Sequence, residues 1–177
     1  SDDDFMAGEI HFGGKEKAAQ FAGAAVFKEG MMIGKITGEE TRISSLLDNT
    51  WELQDFITAF QDPFDGQYRI SARLAKPRKN TYQFKQQSGR SVIDIKVPMY
   101  IEILSDPSLV NFSKNEEKIV ELKKSLTKSM EEHLTQYIKY TQEEFKGDTF
   151  HLSIPIRKNF ATLKEFREFD WMKSYPD

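Results

Sequence analysis

The chain has 177 residues, with 25 basic side chains against 28 acidic and a formal net charge of -3. That length suffices for about one domain with a real core, and so small a charge imbalance gives no electrostatic case for binding nucleic acid or an anionic membrane surface. Fourteen Phe, six Tyr and two Trp exclude a disordered chain, and the absence of cysteine excludes disulfides, thiolate metal sites and cysteine nucleophiles.

Ser1 opens an acidic "SDDDF" without an initiator Met, which reads as the cut boundary of a domain from a longer protein. No apolar run approaches the roughly 20 residues a membrane helix needs. Residues 1–20 are weakly patterned and read as a poorly ordered lead-in, with at most one short strand around "EIHF". Residues 21–177 read as a single α+β domain. "AGAAVFK" and "MMIGKI" are apolar runs joined at Glu29-Gly30, the pattern of a hairpin. Thr37 with Glu40 three residues on has capping-box spacing and starts a helix predicted near 38–50, with Glu39 also favoured by the helix dipole.

"DFITAF", the turn "DPFDG" and "QYRISARLA" follow. Tyr68, Ile70, Ala72 and Leu74 alternate there with polar residues, the period of a strand with one wet face. "TYQFKQ" and "SVIDIKVPMYIEIL" read as two more strands, with Pro98 placing the second at an edge or a bulge. Ser113 with Glu116 and the stop at Gly147 bracket a predicted helix over about 114–146. Ile119, Leu122, Leu126, Met130, Leu134, Tyr137 or Ile138, Thr141 and Phe145 form its apolar stripe. Such a helix runs roughly 50 Å, longer than any strand here, so one end is expected to overhang as a docking surface. A Pro-interrupted apolar segment and a short helix near 160–170 complete the chain. The expected fold is α+β: a largely antiparallel or mixed sheet with the long helix across one face.

The search for chemistry returns no catalytic constellation. His11, His133 and His151 lack metal-ligand spacing, and His133 reads as a side chain packed beside the apolar stripe. No phosphate loop, dinucleotide fingerprint or nucleophile elbow occurs, so no cofactor and no metal are expected. Glu39 and Glu40 point about 100° apart on a helix and do not converge as a glycosidase pair must. The turn at Lys76, Arg78 and Lys79 and the helix face of Lys123, Lys124 and Lys128 read as solvated. Trp171 and Tyr175 either staple the last helix to the core or meet a partner. The balance tilts from enzyme toward a binding or assembly role.

"GAAVFKEGMMIGKITGEETR" resembles the block that opens the C-terminal domain of the Ger(x)C family, the C subunits of bacterial spore germinant receptors. Its elements are Gly23, Ala25 to Lys28, Gly34 and Gly38 to Arg42. The charged helix ending "FKGDTF" and the tail "FDWMKSYPD" agree with the family in order and spacing, so the resemblance covers roughly residues 21–177. Two departures are Pro155, in a segment usually helical in the family, and the end at Asp177, where members continue into a final strand. The resemblance implies a non-enzymatic subunit domain of a lipoprotein, anchored through a lipidated Cys upstream of this region on the outer face of the spore inner membrane. It implies assembly with two integral-membrane subunits, A and B, into a nutrient-sensing complex. Glu39 and Arg42 are the candidate partner contacts. A germinant-binding module is the alternative reading, and a cell-wall hydrolase a third.

Overall fold

The computed structural model describes residues 5–13, 18–87, 90–105, 107–108 and 115–176, with side chains described from residue 23 onward except at 87 and 90. The chain divides into two compact units. The first comprises Ser1–Glu52, Asn80–Val97 and Gln136–Asp177, the second Leu53–Lys79 and Pro98–Thr135.

In the first unit, β1 (Phe5–Gly13), β2 (Ala18–Lys28) and β3 (Met31–Thr37) form an antiparallel sheet in that order. The residues expected to give one short strand at most before residue 20 thus include a nine-residue strand. The β2–β3 hairpin closes over Glu29-Gly30 with positive φ at both residues, 50° and 78°. That geometry matches the right-handed twist of the flanking strands. Helix α1 (Gly38–Leu47) follows, and β6 (Thr81–Gln87) and β7 (Arg90–Lys96) make a separate antiparallel pair. The short helices α3 (Ser153–Arg157), α4 (Leu163–Phe169) and α5 (Trp171–Ser174) close the chain.

The second unit holds β4 (Phe56–Gln61), β5 (Arg69–Ala75) and β8 (Tyr100–Ser105), antiparallel in the order β4-β5-β8. It also includes helix α2 (Glu116–Tyr140) as far as Thr135. Ile70, Ala72 and Leu74 are fully buried while Arg69 and Arg73 face solvent, so the alternation holds within β5, but Tyr68, before the strand, is exposed and drops out of the expected apolar face. Leu122, Leu126, Met130 and Leu134 supply the buried stripe of α2. Ile119 and Val120 at its N-terminal end stay exposed, which removes Ile119 from the expected stripe.

The fold is therefore α+β and antiparallel throughout its described strands, with a long helix, as expected. Several particulars differ from the sequence reading. The described strands form three sheets rather than one. The predicted strand through Pro98 is two, β7 and β8, in different sheets; Pro98, without an N–H, stands in the break. α1 stops at Leu47, because Asp48 turns extended and its carboxylate accepts from the Thr50 N–H at 2.6 Å. Ser113 lies outside the described residues, and Asn115 Oδ1 accepts from Lys118 N–H at 3.2 Å at the start of α2. The long helix becomes a π-helical turn at Thr141–Phe145, and Lys146, left-handed at φ 48°, ends it before Gly147. Pro155 does not break α3: it lies in the first turn, where its missing N–H has no intrahelical partner to lose. His133 is exposed rather than packed.

Candidate functional site

Two glycines of the opening block have steric reasons. A Cβ on Gly23 would run into the backbone carbonyl of Ile36, its neighbour across the hairpin. One on Gly34 would stand 2.5 Å from Cε1 of Phe145, a buried ring at the end of the π-helical turn. The capping box forms as read: Thr37 Oγ1 accepts from Glu40 N–H at 3.2 Å, and Thr37 N–H donates to Glu40 Oε2 at 2.7 Å. Glu39 and Arg42 are both exposed on α1, one turn apart, so they share a helix face. Neither lines the cleft formed by the C-terminal short helices.

Around the other end of α1 runs a buried polar network. Asn80 Nδ2 donates to the carbonyls of Leu46 and Leu47 at 2.8 and 2.9 Å, and the Tyr82 hydroxyl donates to Leu47 at 2.8 Å. Together they satisfy carbonyls that a helix end leaves without intrahelical partners. Asn49 and Asn80 exchange two further bonds, 2.9 and 2.8 Å. Asp48 meets His151 Nδ1 at 2.8 Å. Burial pushes the Asp48 carboxyl up, but donors from His151 and Thr50 outweigh it and hold the group below its ordinary value.

Asp148 is the second hub. Its carboxylate accepts from Ser153 N–H at 2.8 Å, Trp171 Nε1–H at 3.0 Å and Phe150 N–H at 3.3 Å. Burial nevertheless raises its pKa, the donors only partly offsetting it. Tyr175 OH meets Thr141 Oγ1 at 2.6 Å, and burial drives its phenol far above the usual range. The two readings left open for Trp171 and Tyr175 resolve in favour of stapling: both are buried and bonded within this unit. Asn80, the residue that ties the β6 hairpin to α1, carries no sequence signal, since its partners are backbone carbonyls more than thirty residues away.

Outside this network lies an open cleft of about 740 Å³ formed by α3, α4 and the turn between them. Phe160 and Phe166, in edge contact at 5.5 Å, contribute aromatic wall. Leu163 and the cations Arg157, Lys158 and Arg167 also line it. Among the described residues, no three His, Asp or Glu side chains gather to hold a metal ion, and no helix is long and apolar enough to cross a membrane.

Among the described residues, three antiparallel sheets, a long helix and a buried polar network make an α+β fold. Residues 22–177 match the family described as "Spore germination B3/ GerAC like, C-terminal", and the chain belongs to that family. This is the family of the C-terminal domain of spore germinant receptor C subunits. A solved structure titled "Crystal Structure of the GerBC protein" shares the fold, with a TM-score of 0.73 at 18% identity over 99% of this chain. The chain spans 53%, about half, of the length of that structure. No curated protein matches the chain.

Proposed function

We propose that the chain is a non-enzymatic domain of a membrane-anchored nutrient germinant receptor and acts through protein–protein assembly. One observation carries the reading: several residues of the family blocks hold the fold together, while Glu39 and Arg42 of the opening block stay exposed. Gly34 receives Phe145, Asp148 holds Trp171, and Thr37 with Glu40 caps α1. Such a pattern specifies a scaffold and leaves surface side chains as the working parts. In this proposal the partners are the integral-membrane A and B subunits, contacted through Glu39 and Arg42. The parent protein sits on the outer face of the spore inner membrane, held by an upstream lipid anchor.

The test measures binding of the membrane subunits to the Glu39→Gln, Arg42→Ala double variant after confirming that it folds. Lost binding supports the contact, and unchanged binding removes it. At the level of the cell, spores lacking only the parent gene should respond poorly to nutrient while still germinating with a receptor-independent chemical trigger. A germinant-binding module is the alternative reading. Ligand-dependent thermal stabilisation of this chain by a nutrient would favour that reading.

A further inference from the structure

We propose that the α3–α4 cleft is a docking site for an acidic, apolar-bearing peptide segment of a partner protein. Its carboxylates would pair with Arg157, Lys158 and Arg167, and its apolar side chain would lie against Leu163 and Ile154. This goes beyond the receptor reading, because it assigns a site and a ligand chemistry that hold whichever protein supplies the segment.

The charge arrangement comes first. Arg157, Lys158 and Arg167 line the cleft, and among the described residues no carboxylate does. None of the three forms an ion pair or side-chain hydrogen bond among the described residues. The two acids of α4 have other partners. Glu165 Oε2 accepts from the Ala161 N–H at 3.0 Å as part of the α4 cap, and Glu168 faces Lys164 at 3.9 Å. Three cations with no counter-charge among the described residues, around one concavity, make a field that a carboxylate-bearing ligand complements.

The apolar content comes second. Ile154 and Leu163 are 49% and 52% exposed at this cleft, beside the half-buried Phe160 and Phe166. A fully hydrated acidic ligand leaves these side chains wet, whereas one with an aliphatic or aromatic residue between its acids covers them. Shape decides between ligand sources. The cleft is concave, which a flat bilayer surface does not fill, and it lies open to solvent, which leaves a small molecule largely uncovered. A peptide segment fits both conditions, reading the cations with its acids and the wall with one anchor residue.

The experiment selects a random twelve-residue peptide display library against the full chain. Counter-selection uses the Arg157→Gln, Lys158→Gln, Arg167→Gln triple variant, changed only at exposed positions, after circular dichroism and a thermal melt have checked that it folds. The expected consensus holds two or more Asp or Glu around an aliphatic or aromatic residue. Its labelled peptide should bind the triple variant about tenfold more weakly, as expected for the loss of three exposed ion pairs. Arg157→Lys with Arg167→Lys should retain most of the binding, Leu163→Ser should weaken it without changing its salt dependence, and Lys124→Gln should leave it unchanged. A selection without acidic enrichment overturns the proposal, as does a consensus peptide that binds the triple variant equally well. Vesicles containing anionic phospholipid provide the last arm: cation-dependent vesicle binding without a peptide consensus assigns the cleft to lipid and overturns the peptide reading. No receptor subunit enters the assay, so its failure is distinct from failure of the receptor reading.

Discussion

Asp48 keeps only 4% of its side chain exposed, yet its carboxyl lies below the ordinary 3.8, because donors from His151 and Thr50 overcome the cost of burial. Asp148 is buried too and has several donors, but there desolvation wins and the value rises. The two therefore contribute to stability with opposite pH dependence. A carboxyl with a depressed folded value stabilises the fold above pH 3.8, and that contribution is lost as pH falls through the folded value. A carboxyl with a raised value does the reverse, costing stability as pH rises from 3.8 through its folded value. Relative to wild type, the deficit of Asp48→Asn should shrink on acidification from about pH 5 to about pH 3, while that of Asp148→Asn should grow. Urea denaturation across that range reads both slopes, and parallel slopes would show that the two environments do not differ in this way. At this scale the sequence is least informative. Asp148 sits in a visible block, but its indole and backbone donors, and Asn80's grip on α1, depend on residues brought together only by the fold.

Elements built from local signals were the legible part. α1 is specified by Thr37 and Glu40, and α2 by a four-residue stripe over Leu122, Leu126, Met130 and Leu134, all within one or two turns of their partners. Strand partners were not legible, because pairing is chosen between distant segments. Nothing in "SVIDIKVPMYIEIL" tells that β7 pairs with β6 while β8 pairs with β5. The π-helical turn escaped for a related reason: its Thr141 hydroxyl reaches Tyr175, thirty-four residues on. The exposed α3–α4 cleft was missed as well, since only an amphipathic pattern near 160–170 marks it and its cations come from both helices. The cap offers a direct contrast between neighbours. Thr37→Ala removes the acceptor for the Glu40 N–H and should cost about 1 kcal/mol. Glu39→Gln removes only an exposed charge from the first turn and should cost at most about 0.5 kcal/mol. Both should move the urea midpoint at constant slope. Equal costs would mean that the dipole, not the cap, starts α1.

Across the whole chain, the second unit is entered at Leu53 and left at Lys79, then entered again at Pro98 and left at Thr135. The first unit is consequently three stretches of chain whose closure depends on non-local bonds: Asn80 to α1, His151 to Asp48, and Trp171 to Asp148. The second has its own buried apolar set in Phe60, Ile70, Ala72, Leu74, Leu122, Leu126 and Met130. Two compact units make separate sub-global opening reactions the expectation. Leu74→Ala removes a fully buried side chain from the second interior and should cost about 2–5 kcal/mol there. Native-state hydrogen exchange should then show faster exchange in β4, β5, β8 and α2 up to Thr135, with β2, β3 and α1 unchanged. The reciprocal change, Leu46→Ala in the first interior, should accelerate β2, β3 and α1 and spare β5. Acceleration of all these elements by either substitution would mean that the chain opens as one cooperative body, with α2 coupling the two interiors. The distinction bears on assembly: separable units allow one to reorganise on a partner while the other keeps its fold, and a single cooperative body confines partner recognition to surfaces already formed.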